Sequence, residues 1–104
     1  MANARRLELQ EIFCEILGTR NAYYNPPEDL VMQYDAIVYS LGEIDSEYAN
    51  NKCYKSMRCY DVIVISRNSD PEILDKVLEL PYTSLSGKPY VVDNLHHYPI
   101  KLYY

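Results

Sequence analysis

The last seven residues, Tyr98–Tyr104, alternate strictly: Tyr98, Ile100, Leu102 and Tyr104 fall on one side of an extended chain, Lys101 and Tyr103 on the other. A period of two fits a strand with one face buried, and a one-residue slip would turn the whole apolar set to water. The chain must therefore supply further strands as partners and apolar elements to cover that face.

Two runs qualify as partners. Asp35–Leu41 (DAIVYSL) and Met57–Ser66 (MRCYDVIVIS) are rich in strand formers, and as neighbours in sequence they favour antiparallel pairing. The segment Gly42–Lys55 between them carries Glu43, Asp45, Glu47, Asn50 and Asn51. It is longer than a hairpin needs and reads as an extended loop, functional or disordered. Tyr82–Leu85 begins a third strand, Gly87 marks a bulge or turn, and Tyr90–Val92 continues it.

Helices supply the cover. Leu9, Ile12, Phe13, Ile16 and Leu17 recur at helical spacing, which predicts a helix over Arg5–Leu17 that stops at Gly18. In the run SDPE, Asp70 suits the N-cap and Pro71 the first helical position; Ser69 with Glu72 makes a capping box if the boundary lies one residue earlier. Ile73, Leu74, Val77 and Leu78 then form a stripe that Pro81 ends. The Pro26–Pro27 pair forbids regular helix or a central strand, so Tyr23 and Tyr24 are expected in an extended arm entering a rigid turn. The order α-β-β-α-β-β makes residues 1–104 a single α+β domain: a small, mainly antiparallel sheet packed by two helices.

Bulk properties narrow the function. Tyrosine occurs twelve times against one phenylalanine and no tryptophan. It is an apolar plate with a polar tip, suited to protein contacts. Strand positions Tyr39, Tyr60, Tyr98 and Tyr104 fit core rings. Tyr23, Tyr24, Tyr48, Tyr54 and Tyr103 are harder to bury and are the candidate interface residues. A formal charge of −5 with scattered Lys and Arg argues against a phosphate-neutralising nucleic-acid binder. Three cysteines, Cys14, Cys53 and Cys59, with no short paired spacing, suggest reduced thiols. No apolar leader or membrane-length stretch is visible, so a soluble protein made in the cytoplasm, with no membrane partner, is expected.

Candidate chemistry is sparse. His96 and His97 would point to opposite faces of a strand; on a turn they could join Asp93 around a metal, but no thiolate lies at ligand spacing, and a polar turn is the simpler reading. Cys53 and Cys59 lack any nucleophile signature, and with Cys14 read as small core hydrophobes. Glu43, Asp45 and Glu47 are too few in oxygen donors for calcium and read as an acidic edge that repels polyanions. The expectation is a protein with no catalytic residue, no metal and no cofactor.

Three segments, YYNPPEDLVMQYDAIVY, YDVIVISRNSDPEILDKVLELP and VVDNLHHYPIKLYY, resemble in order and spacing a family of small tailed-bacteriophage proteins at the head–tail junction. These are the tail terminator, tail completion or minor capsid proteins. About half the chain carries the likeness, and SLSGKPYVVDNLHHY departs from it. The resemblance implies a non-enzymatic virion protein of tail-terminator-like fold. It implies a ring of copies, six by expectation, that caps the tail tube and joins it to the neck. The partners would be the tube protein and a head-closure or adaptor protein, with DNA passing through unbound. The acidic loop (Glu43, Asp45, Glu47) would then face the lumen or an adjoining ring. Rival readings are a head-closure or adaptor role in the same neck, and a small inhibitor that binds one host protein.

Overall fold

The last strand is the axis on which the other elements are laid. In the computed structural model, which describes residues 4–42 and 59–104, the order is α1 (Ala4–Leu17), β1 (Ala22–Tyr24), β2 (Ala36–Leu41), β3 (Cys59–Ser66), α2 (Glu72–Leu78), β4 (Thr83–Leu85), β5 (Tyr90–Val92) and β6 (Leu95–Tyr103). The six strands form one mixed sheet in the order β1-β2-β3-β6-β4, with β5 also on β6. Only β1 on β2 is parallel; every other pairing is antiparallel. The expected loop Gly42–Lys55, apart from Gly42 itself, lies outside the described residues, as does the expected start of the second strand at Met57.

Four expectations need correction. The arm holding Tyr23 and Tyr24 is a strand, β1. The diproline that follows is compatible with it because β1 is at the sheet's edge, where a lost donor costs nothing. The second helix starts at Glu72, one residue later than expected. Pro71, not Asp70, is the N-cap, with extended backbone at φ −78° and ψ 141°, and no side chain caps the helix. Neither Asp70 nor the Ser69–Glu72 box therefore closes that end. The final strand begins at Leu95, three residues early, because Asp93 and Asn94 (φ 53° and 64°) make the two-residue turn whose twist suits a hairpin between β5 and β6. His96 and His97 are consequently strand residues, not turn residues.

The fourth correction concerns the third strand, which is two strands. Leu85 pairs with Ile100 and Tyr90 with His97, five positions advancing on one side against three on the other, so two residues are extra. Pro99 lies opposite the break. Its carbonyl accepts from Ser86 N at 3.0 Å, but it has no N–H to return, so a continuous partner would face a missing donor there. Gly87 passes over the proline ring at the same place; a Cβ built on it would lie 3.7 Å from Pro99 Cγ.

Both helices pack on one face of the sheet. Leu9, Phe13 and Val77 meet Ile37, Tyr39, Tyr60, Val62, Val64, Tyr98, Ile100 and Leu102, all fully or almost fully buried. The alternation read from Tyr98 to Leu102 points inward, and Tyr104 packs partly against the same core while its hydroxyl donates to Glu8 at 3.0 Å. Gly18 ends α1 at φ 73°, its N–H on Cys14 O at 2.9 Å, the left-handed stop that glycine permits without strain.

Tyr39 is the hub. Its ring meets Phe13 edge-on at 5.0 Å, Tyr24 at 5.0 Å and Tyr60 at 6.1 Å, and its hydroxyl donates to Gln10 Oε1. Burial raises its pKa above the ordinary value of 10.0, and Arg6 opposes part of the rise. Below pH 10 both folded and unfolded chains keep the proton; above it the unfolded chain ionises first, so stability should fall as pH climbs past about 10. Tyr39→Phe should cost about 1 kcal/mol at pH 7, the worth of one buried hydrogen bond, and should flatten that alkaline decline. Urea unfolding at pH 7 and pH 10.5 measures both effects.

Candidate functional site

Among the described residues no helix packs on the sheet's second face, and the strand registers order it into rows. Tyr23 pairs with Val38, Val38 with Ile63, and Ile63 with Pro99, a row crossing four strands. Beside it run Ala36, Ile65, His97 and Tyr90, of which Ala36 and Ile65 are buried. On the other side lies a polar row, Ser40, Asp61, Lys101 and Ser84, in which the carboxylate and the ammonium are direct cross-strand neighbours. Cys59 and Tyr103 form the last pair. The face is thus apolar in one half and polar in the other, with a tyrosine near each end.

Neighbouring groups set its local chemistry. Burial is the main cause raising the Cys59 thiol above its ordinary value; Asp61 adds to the rise, while Lys101 and a hydrogen bond with Tyr103 oppose it. Tyr90 stacks on His97 with ring centroids 4.8 Å apart and planes 12° from parallel. The Tyr23 hydroxyl accepts from Gln33 N at 3.1 Å, so the chain between β1 and β2 returns beside this ring.

The candidate tyrosines separate accordingly. Tyr23 and Tyr103 share the helix-free face. Tyr24 turns to the opposite side, where it packs against the core with the Arg6 guanidinium 4.3 Å above its ring. Tyr48 and Tyr54 lie outside the described residues, as do Glu43, Asp45, Glu47 and Cys53. Among the described residues no three His, Cys, Asp or Glu side chains come together as a metal site. A shallow recess at the end of α1, lined by Glu11, Cys14, Glu15, Gly18, Thr19 and Arg20, holds the 3.0 Å Arg20–Glu11 ion pair beside the buried Cys14 thiol. No described helix is long and apolar enough to cross a membrane.

Sequence reasoning missed a second exposed feature. Tyr82 holds a left-handed backbone, φ 59°, and is largely exposed, as are Leu85, Tyr90, Val91 and Val92. The signal was the run Tyr90-Val91-Val92, apolar on consecutive residues where a one-sided strand should alternate.

The Cys59 environment makes a prediction. In a Cys14→Ala, Cys53→Ser background, alkylation of Cys59 should reach half its limiting rate at a pH above the ordinary thiol midpoint. Tyr103→Phe should move that midpoint higher still, because the hydroxyl's hydrogen bond favours the thiolate. Rates with iodoacetamide between pH 7 and 11 provide the check.

No protein-family model, no curated protein and no solved structure matches this chain.

Proposed function

We propose that this protein is a structural subunit of a tailed-bacteriophage head–tail junction, a tail terminator that assembles as a ring, of six copies by expectation. The ring caps the tail tube and joins it to the neck. The observation that supports the reading most is the helix-free face, with Val38, Ile63 and Pro99 half-buried between Tyr23 and Tyr103. A ring needs a patch on each subunit that meets a different patch on the next, and a sheet whose described helices all lie on one side offers a broad one on the other. The sequence resemblance points the same way. The charge of −5 suits a ring through which DNA passes without being held. In this reading the tube protein and a head-closure or adaptor protein are the partners above and below.

Cryo-EM of purified virions tests the proposal directly: density for a ring of this chain between tube and neck is expected, and its absence from particles ends the structural reading. Ile63→Glu places a charge in the apolar row and should lower the yield of infectious particles at least tenfold, while circular dichroism of the purified variant stays folded. A one-to-one complex with a single host protein, recovered with wild type and lost with Ile63→Glu, would instead favour the inhibitor reading.

A further inference from the structure

Five large apolar side chains, Tyr82, Leu85, Tyr90, Val91 and Val92, are each between 44% and 61% exposed and fall within one stretch at one edge of the sheet. They do not share a face. Leu85 and Val91 pair with Ile100 and His96 on the helix side, whereas Tyr90 and Val92 pair with His97 and Leu95 on the other. A flat partner would need one face; an added strand touches both.

The backbone is also available there. In a hairpin with a two-residue turn, the flanking residues Val92 and Leu95 exchange hydrogen bonds. Val91 and His96 are then a non-hydrogen-bonded pair, which directs the N–H and C=O of Val91 away from β6. The opposite edge differs. Asn21 and Asn25 bond toward β2, so Ala22 faces outward, and its carbonyl already accepts from Gln10 Nε2 at 2.9 Å. Helix α1 thus blunts the β1 edge, while the β5 edge pairs with no other described strand.

We propose that β5 is a self-association edge at which a second copy of this chain adds its own β5, antiparallel, about a two-fold axis through Val91. Charge selects this register. Around that axis Val91 meets its counterpart and Tyr90 meets the second copy's Val92. Asp93 meets the second copy's Pro89, which offers a carbonyl but no N–H, so the Val91 pair carries most of the backbone bonding and Lys88 of each copy lies beside Asp93 of the other at both ends. A parallel arrangement in register would set Lys88 against Lys88 and Asp93 against Asp93. The side-chain pairs are aromatic with β-branched and β-branched with itself, both favourable across strands. Pairing through the same edge on both copies closes after two and leaves the helix-free face untouched, so the inference stands independently of the ring reading. Three residues and a patch of a few hundred Å², against roughly 800 Å² per partner in a standard interface, make the dimer reversible, with Kd on the order of 10–100 μM.

Sedimentation velocity of the full chain from about 5 to 500 μM should show a monomer–dimer equilibrium in this range. Val91→Pro removes only the outward N–H and leaves the β5–β6 bonds intact; Val91→Lys sets like charges against each other. Each should weaken dimerisation at least tenfold with the monomer still folded by circular dichroism. In a background lacking Cys14, Cys53 and Cys59, Val91→Cys should form a disulfide between copies on mild oxidation, and Tyr90→Cys, which faces Val92, should not. A chain that stays monomeric throughout overturns the proposal. So does self-association unchanged by Val91→Lys and Val91→Pro, or efficient cross-linking at Tyr90→Cys with none at Val91→Cys. A ring that still assembles from variants that no longer dimerise is the result expected of two separate contacts.

Discussion

One ring and its hydroxyl connect most of this molecule. Tyr39 stands in the second strand of the sheet, takes Phe13 of α1 on its edge and Tyr24 and Tyr60 of the neighbouring strands beside it. Through Gln10 its hydroxyl is linked to the Ala22 carbonyl of β1. A single glutamine therefore accepts from the sheet's interior and donates to its edge. Aromatic pairs of this kind contribute about 0.5–1.5 kcal/mol each beyond the area they bury. The hydrogen bonds fix which turn of α1 lies over which strand. The orientation of α1 on the sheet, and so the face that the described helices cover, follows from this cluster.

The two faces have different physical roles. On the helix side Ile37 and Tyr39 of β2, Tyr60, Val62 and Val64 of β3, and Tyr98, Ile100 and Leu102 of β6 alternate with outward residues and are buried almost completely. On the other side the same strands carry Val38, Ile63 and Pro99, then Asp61 and Lys101, an arrangement too polar in one half for a second core and too apolar in the other for a wholly wetted surface. Interfaces between subunits combine such compositions, with an apolar centre and a polar rim.

Much of this was legible in the chain. The period-two run at the end, the apolar pattern of β2 and β3, and the helical stripe ending in Gly18 each specify an element locally, and each is present. What escaped is what depends on partners distant in sequence. β1 is too short to show a pattern and exists because β2 accepts it. The start of α2 shifted by one residue because Pro71 takes extended backbone, a choice that local preference did not decide. The break between β4 and β5 falls where Gly87 suggested a bulge or turn, but that it divides the strand in two depends on Pro99 of another strand, which residues 82–92 do not show. For the candidate site, alternation correctly turned Tyr103 away from the core. It could not show that Tyr23 and Tyr24, adjacent in sequence, would be divided between the two faces.

Pro99 has a consequence for solubility. Without it, only Gly87, Lys88 and Pro89 would interrupt a border running from Thr83 to Val92, and long apolar borders recruit strands without limit, the geometry of fibrils. By withholding one donor from the middle of β6, the proline keeps that border as two short pieces that are out of step with each other. A chain rich in tyrosine and strand-forming residues is thereby given a shorter border along which to recruit further strands. Its safeguard against open-ended polymerisation is a residue on the neighbouring strand.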